Sequence, residues 1–357
     1  MKEVKEYNVN KTTEYKIILN ANENTRLLDE GEIVVILLSL KDTEINRYPE
    51  TTSKELRKAY GNIIGISEEN ILAGNGSDQL LGVIISSYVN KGKTVLTLKP
   101  DFSMYDFYAS INEGNLVKLS TKKDGSFSMD SLIELAKEVK PSVIVFSNPN
   151  NPTGHAVPAK EIERLLGELK DSKVVIDEAY IEFGGETMIP YIKHYDNLIV
   201  TRTLSKAWGL AALRVGFLIT SKKNINDLKP FMVPYNLNAF SQQFARKILE
   251  YEDIIGEAVE NIIEERERFY GHLKEIEKRS NKKIRFYKSN ANFIFGRSIY
   301  AKQIKNKFDD LGILIRYFKD SSFRITVGSH EELQEVIKGL TEVLEERGSF
   351  YGQESTN

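Results

Sequence analysis

Ser142-Val143-Ile144-Val145-Phe146, followed at once by Ser147-Asn148-Pro149, reads as a short strand that is apolar on both faces and stops at polar residues. Further on, Lys173-Val174-Val175-Ile176 repeats the pattern and stops at Asp177-Glu178. Between them lies an amphipathic helix with Pro158 in its first turn, where a missing N–H is tolerated. A strand buried on both faces needs helices above and below it. The same texture extends both ways. Leu198-Ile199-Val200-Thr201 and Val215-Gly216-Phe217-Leu218-Ile219 are strands downstream. Asn70-Ile71-Leu72-Ala73 and Thr94-Val95-Leu96-Thr97-Leu98 are strands upstream. Helices are read at 51–60, 78–88 and 132–139, the last behind Asp130 or Ser131 as its N-cap. The expectation is an α/β fold with a mostly parallel central sheet and helices on both faces.

After Pro234 the texture changes. Residues 241–280 form one long charged helical stretch with a single break. Strand-like runs follow at 283–286, 291–295 and 323–327, with helices at 301–311 and 331–346. The N-terminal residues are polar and irregular and include Leu19-Asn20-Ala21-Asn22-Glu23-Asn24. The expected division is an arm (1–35) packing with the small domain, a large domain (36–235) and a smaller C-terminal α/β domain (236–357). The polar tail from Gly348 is expected to fray.

Composition narrows the chemistry. The 357 residues are 41% hydrophobic and 28% charged, ordinary globular usage. With 49 basic and 51 acidic residues the net charge is −2, so no field draws the chain to nucleic acid or to a membrane surface. The absence of cysteine excludes disulfides, thiolate metal sites and Cys nucleophiles. The histidines (His155, His194, His272, His330) are dispersed and form no H-E-x-x-H motif, so no metal site is expected. The N-terminus lacks a signal-peptide core, and the longest apolar run, 33–38, is too short to span a bilayer. A cytoplasmic protein is expected. Gly92-Lys93-Thr94 is not a P-loop, because the glycine needed five positions earlier is Ser87.

In open α/β sheets, ligands bind beyond the carboxyl ends of the strands. Here those ends carry Gly74-Asn75-Gly76-Ser77-Asp78, Asn148 to Gly154, Asp177 to Tyr180 and Thr203 to Lys206. A glycine turn entering a helix is an anion seat, although Ser77 or Asp78 as a plain N-cap reads the same way. Asp177, at the end of a buried strand, either caps the next helix or meets a cation. Asn151 is either a turn residue or an amide donor to a phenolate oxygen. Lys206 sits beside two hydroxyls, and Arg214 follows with a fork suited to phosphate. Together these suit a phosphorylated, electron-poor heterocycle with an aldehyde for the lysine.

Asn148-Pro149-Asn150-Asn151-Pro152-Thr153-Gly154, Asp177-Glu178-Ala179-Tyr180 and Thr203-Leu204-Ser205-Lys206 with Arg214-Val215-Gly216 occur in an order that resembles fold-type-I pyridoxal-phosphate (PLP) aminotransferases. The resemblance spans about residues 19–344. Within that class the chain is most similar to the histidinol-phosphate aminotransferases, on its arm, Asn46-Arg47-Tyr48-Pro49, Pro234-Tyr235-Asn236-Leu237-Asn238 and Phe323-Arg324-Ile325-Thr326-Val327-Gly328.

The resemblance implies that Lys206 binds the PLP aldehyde as a Schiff base and that Asp177 pairs with the ring nitrogen. It places Asn151 and Tyr180 on the phenolic oxygen. Gly76, Ser77, Asp78, Thr203, Ser205 and Arg214 would surround the phosphate. Phe102 would stack on the ring, with Tyr105 as the alternative register. Asn22, Arg316 and Arg324 would bind substrate, and Tyr48 would reach the partner's phosphate in a homodimer. The implied reaction moves an amino group between histidinol phosphate, or a related amino acid, and 2-oxoglutarate by a ping-pong mechanism. Threonine-phosphate decarboxylases and broader aromatic aminotransferases share most of these motifs. A non-catalytic module would lack the lysine or the aspartate, and both are present. Thr25, where many relatives have proline, Gln79 and His155 depart from the pattern near the arm and cleft.

Overall fold

A computed structural model describes residues 14–24, 30–41 and 43–346. The start of the expected arm, its Thr25 and the tail from Gly348 lie outside these residues. Strand β1 (Ile17–Leu19) comes first. A seven-stranded sheet follows, built from β2 (Ile71–Asn75), β3 (Thr94–Lys99), β4 (Asn115–Ser120), β5 (Val143–Ser147), β6 (Lys173–Asp177), β7 (Leu198–Thr203) and β8 (Val215–Thr220), in the order β2-β8-β7-β6-β5-β3-β4. The strands β5, β7 and β8 are buried along their whole length, which is why they read as continuous apolar runs.

From β4 across to β7 every pairing is parallel. Strand β8 instead runs antiparallel to both neighbours. A parallel return usually runs through a crossover helix, and the β7–β8 link (204–214) holds no α-helix, only a 3-10 turn. The reversal places Thr203 opposite Gly216. It therefore brings Lys206, in the loop, and Arg214, just before β8, back to the same sheet edge.

The helices are α1 (Glu30–Ser39), α2 (Lys54–Ile64), α3 (Gly76–Tyr88), α4 (Met104–Ile111), α5 (Met129–Val139), α6 (Ala159–Glu168), α7 (Lys222–Leu228), α8 (Ala239–Ile248), α9 (Glu252–Arg279), α10 (Ala301–Asp310) and α11 (His330–Glu346). Several differ from the sequence reading. The apolar run 33–38 lies in α1, which buries Ile36 and exposes Val34, Val35, Leu37 and Leu38. Helix α2 starts at Lys54, not 51, and α3 at Gly76, not 78. The cap of α5 is Ser128, whose hydroxyl accepts the Ser131 N–H, rather than Asp130 or Ser131. Pro158 precedes α6 as its N-cap residue. The charged stretch after 241 is broken at Leu249–Tyr251 by one 3-10 turn.

A second sheet has the order β1-β11-β12-β10-β9, adding β9 (Ile284–Tyr287), β10 (Phe293–Ser298), β11 (Ile313–Tyr317) and β12 (Ser322–Thr326). Strand β11 is absent from the sequence reading, because a three-residue apolar run after a helix has no decisive period. It matters because it pairs with β1 on one side and β12 on the other, tying residues 17–19 of the arm to this sheet. Among the described residues, no helix is long and apolar enough to cross a membrane.

Candidate active site

The carboxyl ends of β2, β3, β5, β6 and β7 and side chains of β11 and β12 surround a cavity of about 470 Å³. At the β2–α3 junction Gly76 has φ +76°, and a Cβ there would come within 2.6 Å of the Arg214 guanidinium. Only glycine meets both conditions without strain. The N-cap of α3 is Asn75, which makes no side-chain cap bond, so neither Ser77 nor Asp78 caps the helix. The first turn of the helix therefore carries no capping side chain, and its Ser77 and Asp78 line the cavity. Opposite them, Arg214 Nη1 donates to Ser205 Oγ at 3.3 Å, and Arg214 Nη2 lies 3.6 Å from Asp78 Oδ2. Thr203 Oγ1 donates to Ser205 Oγ at 3.0 Å. A guanidinium, hydroxyls and a helix N-terminus converging on one point form a phosphate cradle.

Asp177 ends β6 and is 3% exposed. It caps no α-helix. Tyr105 donates to its Oδ2 at 2.9 Å and Thr201 to its Oδ1 at 3.1 Å. Burial pushes its carboxyl up to about 6, while the bonds from Tyr105 and Thr201 pull the other way. A buried carboxyl on a cavity wall is a place for a cation.

Lys206 Nζ donates to the Ala21 carbonyl at 2.7 Å. Burial, and next the Arg324 guanidinium, push its amine down to about 8. Tyr180 accepts from Asn22 Nδ2 at 2.9 Å. Asn22 is fully buried, and its backbone N–H donates to Thr326 Oγ1 at 3.0 Å. Its amide is therefore committed within the protein, although Asn22 remains on the cavity wall. The Asn151 amide oxygen accepts from Arg324 Nη1, and its backbone N–H donates to Ser147 Oγ at 2.8 Å. Arg324 Nη2 also donates to the Asn20 carbonyl at 2.7 Å.

Phe102 and Arg316 complete this wall. Tyr105 does not belong to it: its ring is fully buried and meets Phe102 edge-on at 5.7 Å, which removes it as the stacking residue. Gly76 lies behind Arg214 rather than on the wall. Tyr48 is the residue the fold keeps away. It is 80% exposed, stacks on Tyr235 at 4.5 Å and borders a different cavity with Arg47 and Arg246. Two further polar residues belong to the site. Asp101 accepts the Phe102 N–H at 2.8 Å and the Ser147 hydroxyl, and Ser147 is the direct β5 partner of Asp177. Both satisfy the strand-end rule. Tyr105 carries no such signal, since an aromatic at helical spacing reads as core.

The donor set fits a phosphorylated pyridine aldehyde: a phosphate cradle of a guanidinium, hydroxyls and a helix N-terminus, a buried carboxyl for the ring nitrogen, a phenol for the ring oxygen and an amine of lowered basicity. A pocket of this kind defines a PLP-dependent transferase. The sequence profile of the family described as "Aminotransferase class I and II" matches residues 14–340. The chain belongs to that family and is a PLP-dependent aminotransferase. A histidinol-phosphate aminotransferase of Clostridium novyi is 40% identical over 331 residues, covering 92% of this chain and 91% of the relative. One from Pyrococcus furiosus is 36% identical over 93% of this chain and 94% of its own length. The crystal structure of histidinol-phosphate aminotransferase from Sinorhizobium meliloti with pyridoxal-5'-phosphate has a TM-score of 0.84 at 24% identity, covering 94% of this chain and 92% of that one. L-threonine-O-3-phosphate decarboxylase from Porphyromonas gingivalis shares the fold at a TM-score of 0.79 and 22% identity, covering 92% and 99%.

Proposed function

We propose that this aminotransferase moves the amino group of histidinol phosphate to 2-oxoglutarate, in two half-reactions that use one site in turn. The observation that carries the reading is that Arg316 and Arg324 stand opposite each other on β11 and β12 and line the same cavity as Lys206. A phosphate monoester and a dicarboxylic oxo acid both bring anionic groups to such a wall. The relatives' names support the donor.

In this reading Ser77, Asp78, Thr203, Ser205 and Arg214 would hold the cofactor phosphate, several through backbone N–H, with Gly76 giving the backbone its approach. Phe102 would cover the ring, Asp177 would face its nitrogen, and Asn151 and Tyr180 would hold its phenolic oxygen. Bound PLP supplies an aldehyde for the amino group and a cationic ring that withdraws electrons from the adjacent carbon. Lys206, once the substrate amine has taken its place on the aldehyde, would accept the proton of the donor's amino-bearing carbon at Nζ and would deliver it to the former aldehyde carbon, across the intervening nitrogen. Its lowered basicity suits it to do so near neutral pH. Arg324 orients the anionic end and also holds Asn151. Asn22 fixes the Tyr180 hydroxyl.

The proposal includes a cytoplasmic homodimer in which exposed Tyr48 reaches the partner's phosphate cradle. It also keeps the division into an arm (1–35), a large domain (36–235) and a small domain (236–357), which the two separate sheets support. The test is steady-state assay of purified holoenzyme with histidinol phosphate and 2-oxoglutarate. Glutamate should form, with parallel double-reciprocal lines. Carbon dioxide released from threonine phosphate without consumption of an oxo acid, or faster turnover of aromatic amino acids, would overturn the reading.

A further inference from the structure

We propose that Tyr105 is a positioning residue for PLP binding, its hydroxyl holding the Asp177 carboxylate in the orientation that meets the ring nitrogen. The proposal rests on the placement of Asp177 given above. Tyr105 enters in the first turn of α4 and is buried in one apolar cluster with Leu80, Leu81, Ile84 and Ala109. For filling that space a phenylalanine would serve. A buried phenol needs a partner, and this one donates to Asp177 Oδ2 at 2.9 Å, with the Ser147 side chain also within its reach. Thr201, from β7, holds the other oxygen at 3.1 Å. With one hydroxyl on each oxygen, donated from a helix on one side and a strand on the other, the carboxylate cannot rotate without losing a bond.

The aim of Tyr105 is set one step further back. Asp101 binds the backbone N–H of Phe102 and the hydroxyl of Ser147, and Ser147 lies directly across β5 and β6 from Asp177. The loop that starts α4 is thereby fixed to the strand beside the carboxylate. Burial, with Asp177 and Asp101 nearby, holds the Tyr105 phenol well above its ordinary range, so it stays a donor. A donated hydrogen bond favours ionised Asp177, and only the ionised form retains a ring cation.

A double-mutant cycle on PLP affinity tests this, with apoenzyme titrated by PLP fluorescence quenching in wild type, Tyr105→Phe, Asp177→Asn and the double variant. A hydrogen bond to a charged group predicts roughly tenfold weaker PLP binding from Tyr105→Phe in wild type, and less than about twofold in the Asp177→Asn background. Equal losses in both backgrounds mean packing alone and overturn the proposal, as does no loss in wild type. Asp177→Asn binding PLP as tightly as wild type overturns the placement of Asp177 itself, and the proposal with it. Should Tyr105→Phe fail to fold, 3-fluorotyrosine at position 105 replaces it. Its fluorine resonance should shift on PLP addition when Asp177 is present and stay fixed in the Asp177→Asn background; a resonance blind to PLP in both contradicts the proposal.

Discussion

Arg316 and Arg324 are Cα partners across the antiparallel pair β11–β12, so two guanidinium groups rise from one face of a hairpin toward the cavity. Like charges placed directly opposite destabilise a sheet. An arrangement of this kind is favourable when an anion lies between the two. Arg316→Ala is therefore expected to raise KM for the phosphorylated donor by roughly 10- to 100-fold with kcat within about threefold, since the lost contact serves ground and transition states alike. Steady-state kinetics with the phosphorylated donor check both parameters.

Lys206 should capture PLP as an ordinary lysine does not. Only the neutral amine attacks an aldehyde, and burial together with Arg324 brings this amine to about 8. The rate of reconstitution from apoenzyme should rise with pH and level off just above 8, rather than climbing toward 10 or beyond. Arg324→Leu should move the midpoint upward. Stopped-flow absorbance across pH measures it.

Asp177 makes the apoenzyme pH-sensitive in the opposite sense. Its folded pKa is raised to about 6, so the fold favours the protonated carboxyl. The stability this contributes is present below about 4 and is lost as pH rises through 6. The unfolding free energy of wild type should fall relative to Asp177→Asn by about 2 to 3 kcal/mol across that window, and PLP should restore it. Urea titrations of both apoproteins at pH 4 and 7 give the difference.

Gly216 has no room for a side chain. A Cβ there would lie 2.3 Å from the Ser77 backbone nitrogen. Gly216→Ala must push the start of α3 away from Arg214, and PLP affinity should drop at least about tenfold while the sheet survives. Equilibrium dialysis of PLP, beside circular dichroism, tests this.

Much of the site was legible because its polar residues interrupt buried apolar strands. Asp177 after Val174-Val175-Ile176 and Lys206 after Leu198 to Thr203 stand out by contrast alone. The antiparallel turn of β8 was not legible, since apolar runs carry no direction. Strand β11 hid in three apolar residues, and with it the opposition of Arg316 to Arg324. Tyr105 hid because its ring obeys the rules of a core while its hydroxyl does other work. The place of Tyr48, away from the cavity of its own chain, depends on tertiary packing that no local pattern reports.

One side-chain nitrogen binds the cofactor aldehyde, and peptide mass mapping of borohydride-reduced holoenzyme reads directly which one it is. The expected result is one pyridoxyl-phosphate adduct per chain, on the peptide containing Lys206, abolished by Lys206→Ala. An adduct of equal yield on another lysine, or one that persists in Lys206→Ala, would contradict it.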